Sequence, residues 1–254
     1  MDDSDSTFSV PVRLMAALVA ILGWALLALQ LWLILSNPLS STRPASEIVV
    51  NFFSFFTILS NLLVAVIFTW WAMAPPGPPA TLQAATATYI SVVAIGYSLL
   101  LRSVWDPDGL QKIADVMLHD IMPLLYAIFW IAFCRQIRSL PWRHAFLWLS
   151  VPLVYLVYTM VRGRRMGWYP YHFLNPGMVG YPLVIFSIAG FLIAFLVLGL
   201  AVVGLTRTRF LQDSATAPLP GDPDGRTPSK PPIIEGRTYG RRSEPTAPAR
   251  SQFR

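Results

Sequence analysis

Apolar residues along this chain gather into long runs, separated by short polar or Pro- and Gly-rich breaks. A helix rises about 1.5 Å per residue, so roughly 20 apolar residues cross a hydrocarbon core of about 30 Å. Six stretches qualify: 14–35, 48–74, 84–101, 113–134, 145–161 and 182–205, of which the third and fifth are the shortest. Breakers fall between them at Asn37-Pro38, Pro75-Pro76-Gly77-Pro78-Pro79, Asp106-Pro107-Asp108-Gly109 and across 164–181. The pattern predicts an all-α polytopic membrane protein, with a six-helix transmembrane domain over 1–209. From 210 to 254 the chain is polar and rich in Pro, Arg and Ser, too poor in apolar surface to fold, and is expected to be a disordered basic tail.

Composition agrees with a lipid solvent. Of 254 residues 55% are hydrophobic and 13% charged, against roughly 25% charged in soluble domains. The net charge of +6 comes from loop and tail residues and forms no folded basic face, so no nucleic-acid partner is expected. The single cysteine, Cys134, allows no intrachain disulfide. Residues 1–13 lack the basic cluster of a secretory signal, and the following run reads as a retained first span. Six spans put both termini on one side with Arg135, Arg138 and Arg143, while Arg43, Arg102, Lys112, Arg162, Arg164 and Arg165 lie on the other. Arg207, Arg209 and the basic tail tip this near balance toward cytoplasmic termini, with the loops after spans one, three and five facing outward.

Ionisable side chains inside a bilayer are costly and mark candidate sites. The fourth span carries Asp115, His119 and Asp120. Asp115 and His119 are four residues apart, on one helical face, where a carboxylate can orient an imidazole; alternatively Asp115 marks only a helix start among headgroups. In the second span Asn51, Ser54, Thr57 and Ser60 or Asn61 align as a polar stripe. By spacing alone the stripe reads as hydrogen-bonding ties between helices. With spans two and four both running inward, Thr57 lies roughly 14 Å and His119 roughly 9 Å below the outer interface. At similar depth, a hydroxyl and an imidazole can serve as nucleophile and general base. Tyr97 with Trp105, and Tyr155 with Tyr158, read as interfacial belts, beside Arg102 and Arg162 snorkelling to headgroups or holding a lipid carboxylate. The aromatic segment 168–176 reads as an interfacial loop or a lid. No phosphate loop, metal-spaced Cys/His cluster or nucleophile elbow occurs in the sequence. Neither a metal nor an organic cofactor is expected.

The stretch Phe52-Phe53-Ser54-Phe55-Phe56-Thr57-Ile58-Leu59-Ser60-Asn61, then Leu99-Leu100-Leu101-Arg102 with Trp105, His119-Asp120 with Pro123, and Tyr169-Pro170-Tyr171 with Phe173-Leu174 and Pro176, resemble one six-span family. It is the androgen-induced protein family, which includes the androgen-dependent regulator of tissue factor pathway inhibitor; the likeness is greater to its uncharacterised bacterial relatives. It runs from about Arg13 to Thr206 and leaves the tail uncovered. Characterised animal members are threonine hydrolases of fatty-acid esters of hydroxy fatty acids, acting through an intramembrane Thr and His. The resemblance implies that Thr57 is the nucleophile and His119 the base, with a membrane lipid or fatty-acid ester as substrate and a bacterial plasma membrane as location. Asp115 or Asp120 is then expected to orient His119, and Asn51 or Asn61 to donate to the oxyanion. The competing expectation is a non-enzymatic membrane protein: a small transporter with a proton relay, or a scaffold whose tail recruits partners.

Overall fold

The computed structural model describes residues 9–37, 43–73, 77–133 and 139–216. Cys134, Arg135, Arg138, the Pro75-Pro76 pair and the tail from 217 onward lie outside the described residues. The chain is an all-α bundle, with no strand among the described residues and six helices long and apolar enough to cross a membrane. It is an integral multi-pass membrane protein.

The first span is α1, Val10–Leu35. The second is two helices, α2 (Ala45–Phe53) and α3 (Phe56–Met73), interrupted at Ser54 and Phe55. α4 (Ala80–Gly96) continues into a π-helical turn, Tyr97–Leu101. The fourth span joins α5 (Gly109–Val116), a second π-helical turn (Met117–Ile121) and α6 (Met122–Phe133). α7 (Arg143–Trp148) and α8 (Ser150–Met166) make the fifth span, and α9 (Pro176–Thr216) the sixth.

The helices outrun the apolar windows because their ends are amphiphilic; the third and fifth spans reach 22 and 24 residues. The 48–74 stretch is not one helix: its hydropathy is continuous, but hydrogen bonds from Ser54 and Phe55 N–H to Asn51 and Phe52 O close one helix before the next begins. The last helix continues past 209 to Thr216, and the next proline, Pro218, has no N–H with which to extend it. Near its start Gly180 takes φ 78°, accessible to glycine at little cost, so the segment before Pro182 is offset from the main span.

α3 is the centre of the bundle, packed against α1, α4 and α6. The faces of α1 and α9 that carry Leu14, Leu18, Ile21, Ile185, Phe186 and Ile193 are exposed. Such surfaces suit lipid and would be unfavourable in water.

Candidate functional site

The broken second span and the two π-helical turns lie together, and they position the polar side chains. Pro123 lacks an N–H and its ring crowds the carbonyl four residues back, which belongs to His119. The preceding turn widens, with Met122 N–H bonding to Met117 O. π-turns of this kind recur at functional sites. Here the widened turn sets the His119 imidazole flat on Tyr97 of the facing π-turn, with ring centroids 4.0 Å apart.

Thr57 Oγ1 is 3.3 Å from His119 Nε2. On the other side of the ring, Nδ1 is 2.9 Å from the Asp115 carbonyl oxygen and 3.2 Å from its carboxylate Oδ1. Both are acceptors, so Nδ1 carries the hydrogen and Nε2 is left with a lone pair facing the hydroxyl. Asp115 is buried, 6% exposed. Its carboxylate accepts from the Tyr97 O–H and also interacts with the Trp105 side chain. A buried carboxylate needs such donors in place of water.

Asp120 turns the other way and pairs with Arg102 at 2.5 Å, with both side chains partly exposed. Of the two carboxylates considered from sequence, geometry therefore joins Asp115 to His119 and leaves Asp120 apart. Arg102 also sits over the Tyr97 ring at 5.0 Å and is not among the residues lining the cavity. The guanidinium expected to hold a lipid carboxylate is here paired with Asp120. Arg162 is likewise engaged, donating to Asn51 Oδ1 at 2.6 Å and lying over the Trp168 ring.

The polar stripe divides by role. Ser54 meets Tyr158 Oη at 3.0 Å, and its carbonyl accepts the Tyr155 O–H at 2.9 Å, so both tyrosines tie the fifth span to the second. Asn61 donates one amide hydrogen to Thr57 O at 2.9 Å and the other to Leu118 O at 3.1 Å, which braces α3 against the fourth span. Thr57 faces a cavity of about 630 Å³, which His119, Asp115, Tyr97 and Asn51 also line. That size suits an organic ligand. Its rim comes from the ends of the first, third and fifth spans and their loops, among them Asn37, Arg43, Val104, Trp105, Trp168 and His172.

The chain matches no protein-family model, no curated protein and no solved structure.

The aromatic segment 168–176 lies over the cavity, contributing Trp168, Pro170, Tyr171 and His172 to its wall. Gly167, at φ 68°, ends α8 in the left-handed conformation and turns the chain back. Gly163 makes room for Tyr169: a Cβ there would sit 2.1 Å from the ring. Asn175 Oδ1 accepts the Gly177 N–H at 3.0 Å and fixes the far end of the segment. Phe55 meets Trp168 and Tyr171 edge-on, both at 5.8 Å. Sequence reasoning assigned Tyr97 to a belt and left Tyr171 as one aromatic among several. No spacing rule links Tyr97 to the fourth span or Tyr171 to the second, since their neighbours are supplied by other helices.

Proposed function

We propose that this protein is an intramembrane threonine hydrolase acting on lipid esters, such as fatty-acid esters of hydroxy fatty acids, with Thr57 as nucleophile and His119 as general base. The observation that carries the proposal is the 3.3 Å approach of Thr57 Oγ1 to His119 Nε2, with Asp115 on the far side of the ring. Three further features support it. The cavity walls are largely apolar, with Leu33, Ile34, Phe52, Ile58, Leu101 and Leu118 around the polar cluster, as an acyl chain requires. The polar groups occur inside a multi-pass membrane protein, where an ester can arrive from the bilayer. The motifs resembling the androgen-induced protein family include both Thr57 and His119.

A threonine hydroxyl is a weak nucleophile until a base takes its proton. His119 Nε2 accepts that proton as Oγ1 attacks the ester carbonyl. Collapse of the tetrahedral intermediate expels the alcohol, which leaves with the proton returned by His119. The acyl group is now an ester of Thr57. A water, deprotonated by His119, attacks this ester, releases the acid and restores the hydroxyl. Asp115 holds the tautomer and stabilises the imidazolium while it is charged, as the third member of such triads does. A bacterial plasma membrane with cytoplasmic termini, and hence a cavity rim facing outward, is part of this reading; the family resemblance and the basic residues at Arg207 and beyond support it.

The test is turnover of a panel of long-chain lipid esters by detergent-purified protein, wild type against Thr57→Ala and His119→Ala at matched folding. Loss in both variants is the expected result. Equal inactivity of all three sinks the hydrolase and leaves a transporter or scaffold. A proton relay through Tyr97, Asp115 and His119 has no need of the Thr57 hydroxyl, so proton flux that survives in Thr57→Ala would favour that alternative.

A further inference from the structure

Acyl transfer needs a donor aimed at the oxygen on which negative charge develops, and of the two asparagines expected to supply it Asn61 has its donors engaged elsewhere. A carboxamide has two N–H donors, and both of those on Asn61 are spent on the carbonyls of Thr57 and Leu118. Asn51 accepts from Arg162 through Oδ1, and it belongs to α2, before the break that separates that helix from Thr57. Another group beside Thr57 has a hydroxyl in the right place.

We propose that Tyr171, carried over the cavity by the loop between α8 and α9, is a catalytic residue whose phenolic O–H donates to the carbonyl oxygen of the bound ester. The assignment rests on the hydrolase mechanism above and adds its missing element.

The interruption at Ser54 and Phe55 makes Phe56 the first residue of α3, so its N–H has no carbonyl one turn earlier to bond. Within a membrane such a group must find another acceptor. The Tyr171 hydroxyl oxygen accepts it at 3.0 Å. The N–H and side chain of Thr57, one residue further on, also interact with that oxygen. With N–H donors on its oxygen and the Thr57 hydrogen directed to His119, the Tyr171 hydrogen faces Thr57 Oγ1, where the carbonyl under attack arrives to accept it. Tyr171 lines the same cavity as Thr57 and His119 and is only 8% exposed, so a carbonyl poised for attack by Oγ1 lies beside it. Tyr155 donates to Ser54 O at 2.9 Å and its oxygen also meets the Tyr171 hydroxyl, so the ester carbonyl takes the Tyr171 hydrogen in exchange for that contact.

Two features suit the role. Burial raises the Tyr171 ionisation above the ordinary tyrosine value, which keeps the phenol protonated and donating at neutral pH. Its ring is fixed by stacking on Phe173 at 5.2 Å and by the edge of Phe55, so the donor is preorganised before substrate arrives. The same hydroxyl both terminates a broken helix and serves the reaction. This gives a reason for the break itself: it delivers Thr57 next to a donor that a continuous helix would have no cause to attract.

The experiment compares full-length wild type, Tyr171→Phe, Thr57→Ala and Tyr171 replaced by 3,5-difluorotyrosine, with p-nitrophenyl palmitate and a palmitoyl ester of a hydroxy fatty acid as probes. Tyr171→Phe is expected to lose roughly 10²–10³ in kcat, the effect of deleting one oxyanion donor, with KM changed by less than about threefold. The difluorotyrosine enzyme keeps the hydroxyl and is expected to be active, but to lose activity on raising the pH earlier than wild type, because its phenol ionises more readily. If Tyr171→Phe does not fold, this pH profile decides alone. Wild-type kcat in folded Tyr171→Phe, or superimposable pH profiles, would overturn Tyr171 while a dead Thr57→Ala preserves the hydrolase. Undiminished turnover in Thr57→Ala, or an inactive wild type, removes the mechanism beneath it and Tyr171 with it.

Discussion

The half of the bundle that holds the cavity and the opposite half are built from the same helices by different rules. On the far side of Asn61, α3 is a regular helix whose Phe68 and Trp71 pack with Tyr126 and Phe129 of α6. Phe68 meets Phe129 at 5.1 Å and Trp71 meets it at 4.7 Å, and all four rings are buried. On the near side the second span breaks at Ser54, the third and fourth spans widen into π-turns, and buried polar groups are set among the rings. Lipid is as apolar as leucine, so tight packing holds helices together more than transfer from water does. The aromatic half meets that need. The cavity half gives up regular backbone, which a membrane protein tolerates only where other groups supply the hydrogen bonds. Tyr171, Asn61 and Tyr155 supply them here.

If the halves divide chemistry from stability, substitutions should separate the two. The largest effect belongs to Thr57→Ala, which is expected to lower kcat at least about 10³-fold, as deletion of a nucleophile does, without lowering the unfolding temperature. Ester turnover and thermal unfolding on the same preparation check this, and parallel loss of both would erase the division.

Asp115→Asn should come next. Its carboxylate orients His119, but the Asp115 backbone carbonyl lies closer to Nδ1, 2.9 Å against 3.2 Å, and remains to hold the tautomer. The expected loss is therefore about 10- to 100-fold in kcat, well below the roughly 10⁴ seen where a triad carboxylate alone sets the tautomer. Steady-state kinetics would show it, and a loss as deep as that of Thr57→Ala would mean that the carbonyl does not substitute.

Phe68→Ala probes the opposite half. In lipid the cavity contribution dominates, and a void of roughly 100 Å³ at about 24 cal/mol per Å³ costs about 2 kcal/mol. Unfolding in a denaturing detergent should detect this, with kcat of the folded fraction unchanged. A fall in kcat without loss of stability would tie the aromatic cluster to catalysis.

Arg102→Gln should do least. It breaks the partly exposed pair with Asp120, and such pairs contribute about 0.2–1 kcal/mol. Little change in either assay is expected. A large rise in KM would return Arg102 to the substrate-binding role that its sequence position first suggested.

The local features of the chain determined much of this. Six apolar runs set the number of spans, because nothing but helix satisfies the backbone within a bilayer at that length. The scarcity of ionisable groups inside those runs singled out Asp115 and His119, and the polar stripe singled out Thr57 and Asn61. Pro123 four residues after His119 carries the cause of the widened turn in plain sight. The roles within the stripe were another matter. Asn61 became a brace and Thr57 a cavity residue because of what faces them, the carbonyl of Leu118 and the imidazole of His119. Asp115 and Asp120 are five residues apart and look alike in sequence, yet a π-turn between them sends one to the imidazole and the other to Arg102. The break at Ser54 was hidden because hydropathy is blind to backbone continuity. Tyr171 reaches Phe56 from 115 residues away, through a loop turned by Gly167 and seated on Gly163. Hydropathy and helical rise are local quantities, so the sequence alone determined spans and candidates. Hydrogen-bond partners on different helices are chosen by packing, and those only the tertiary structure decided.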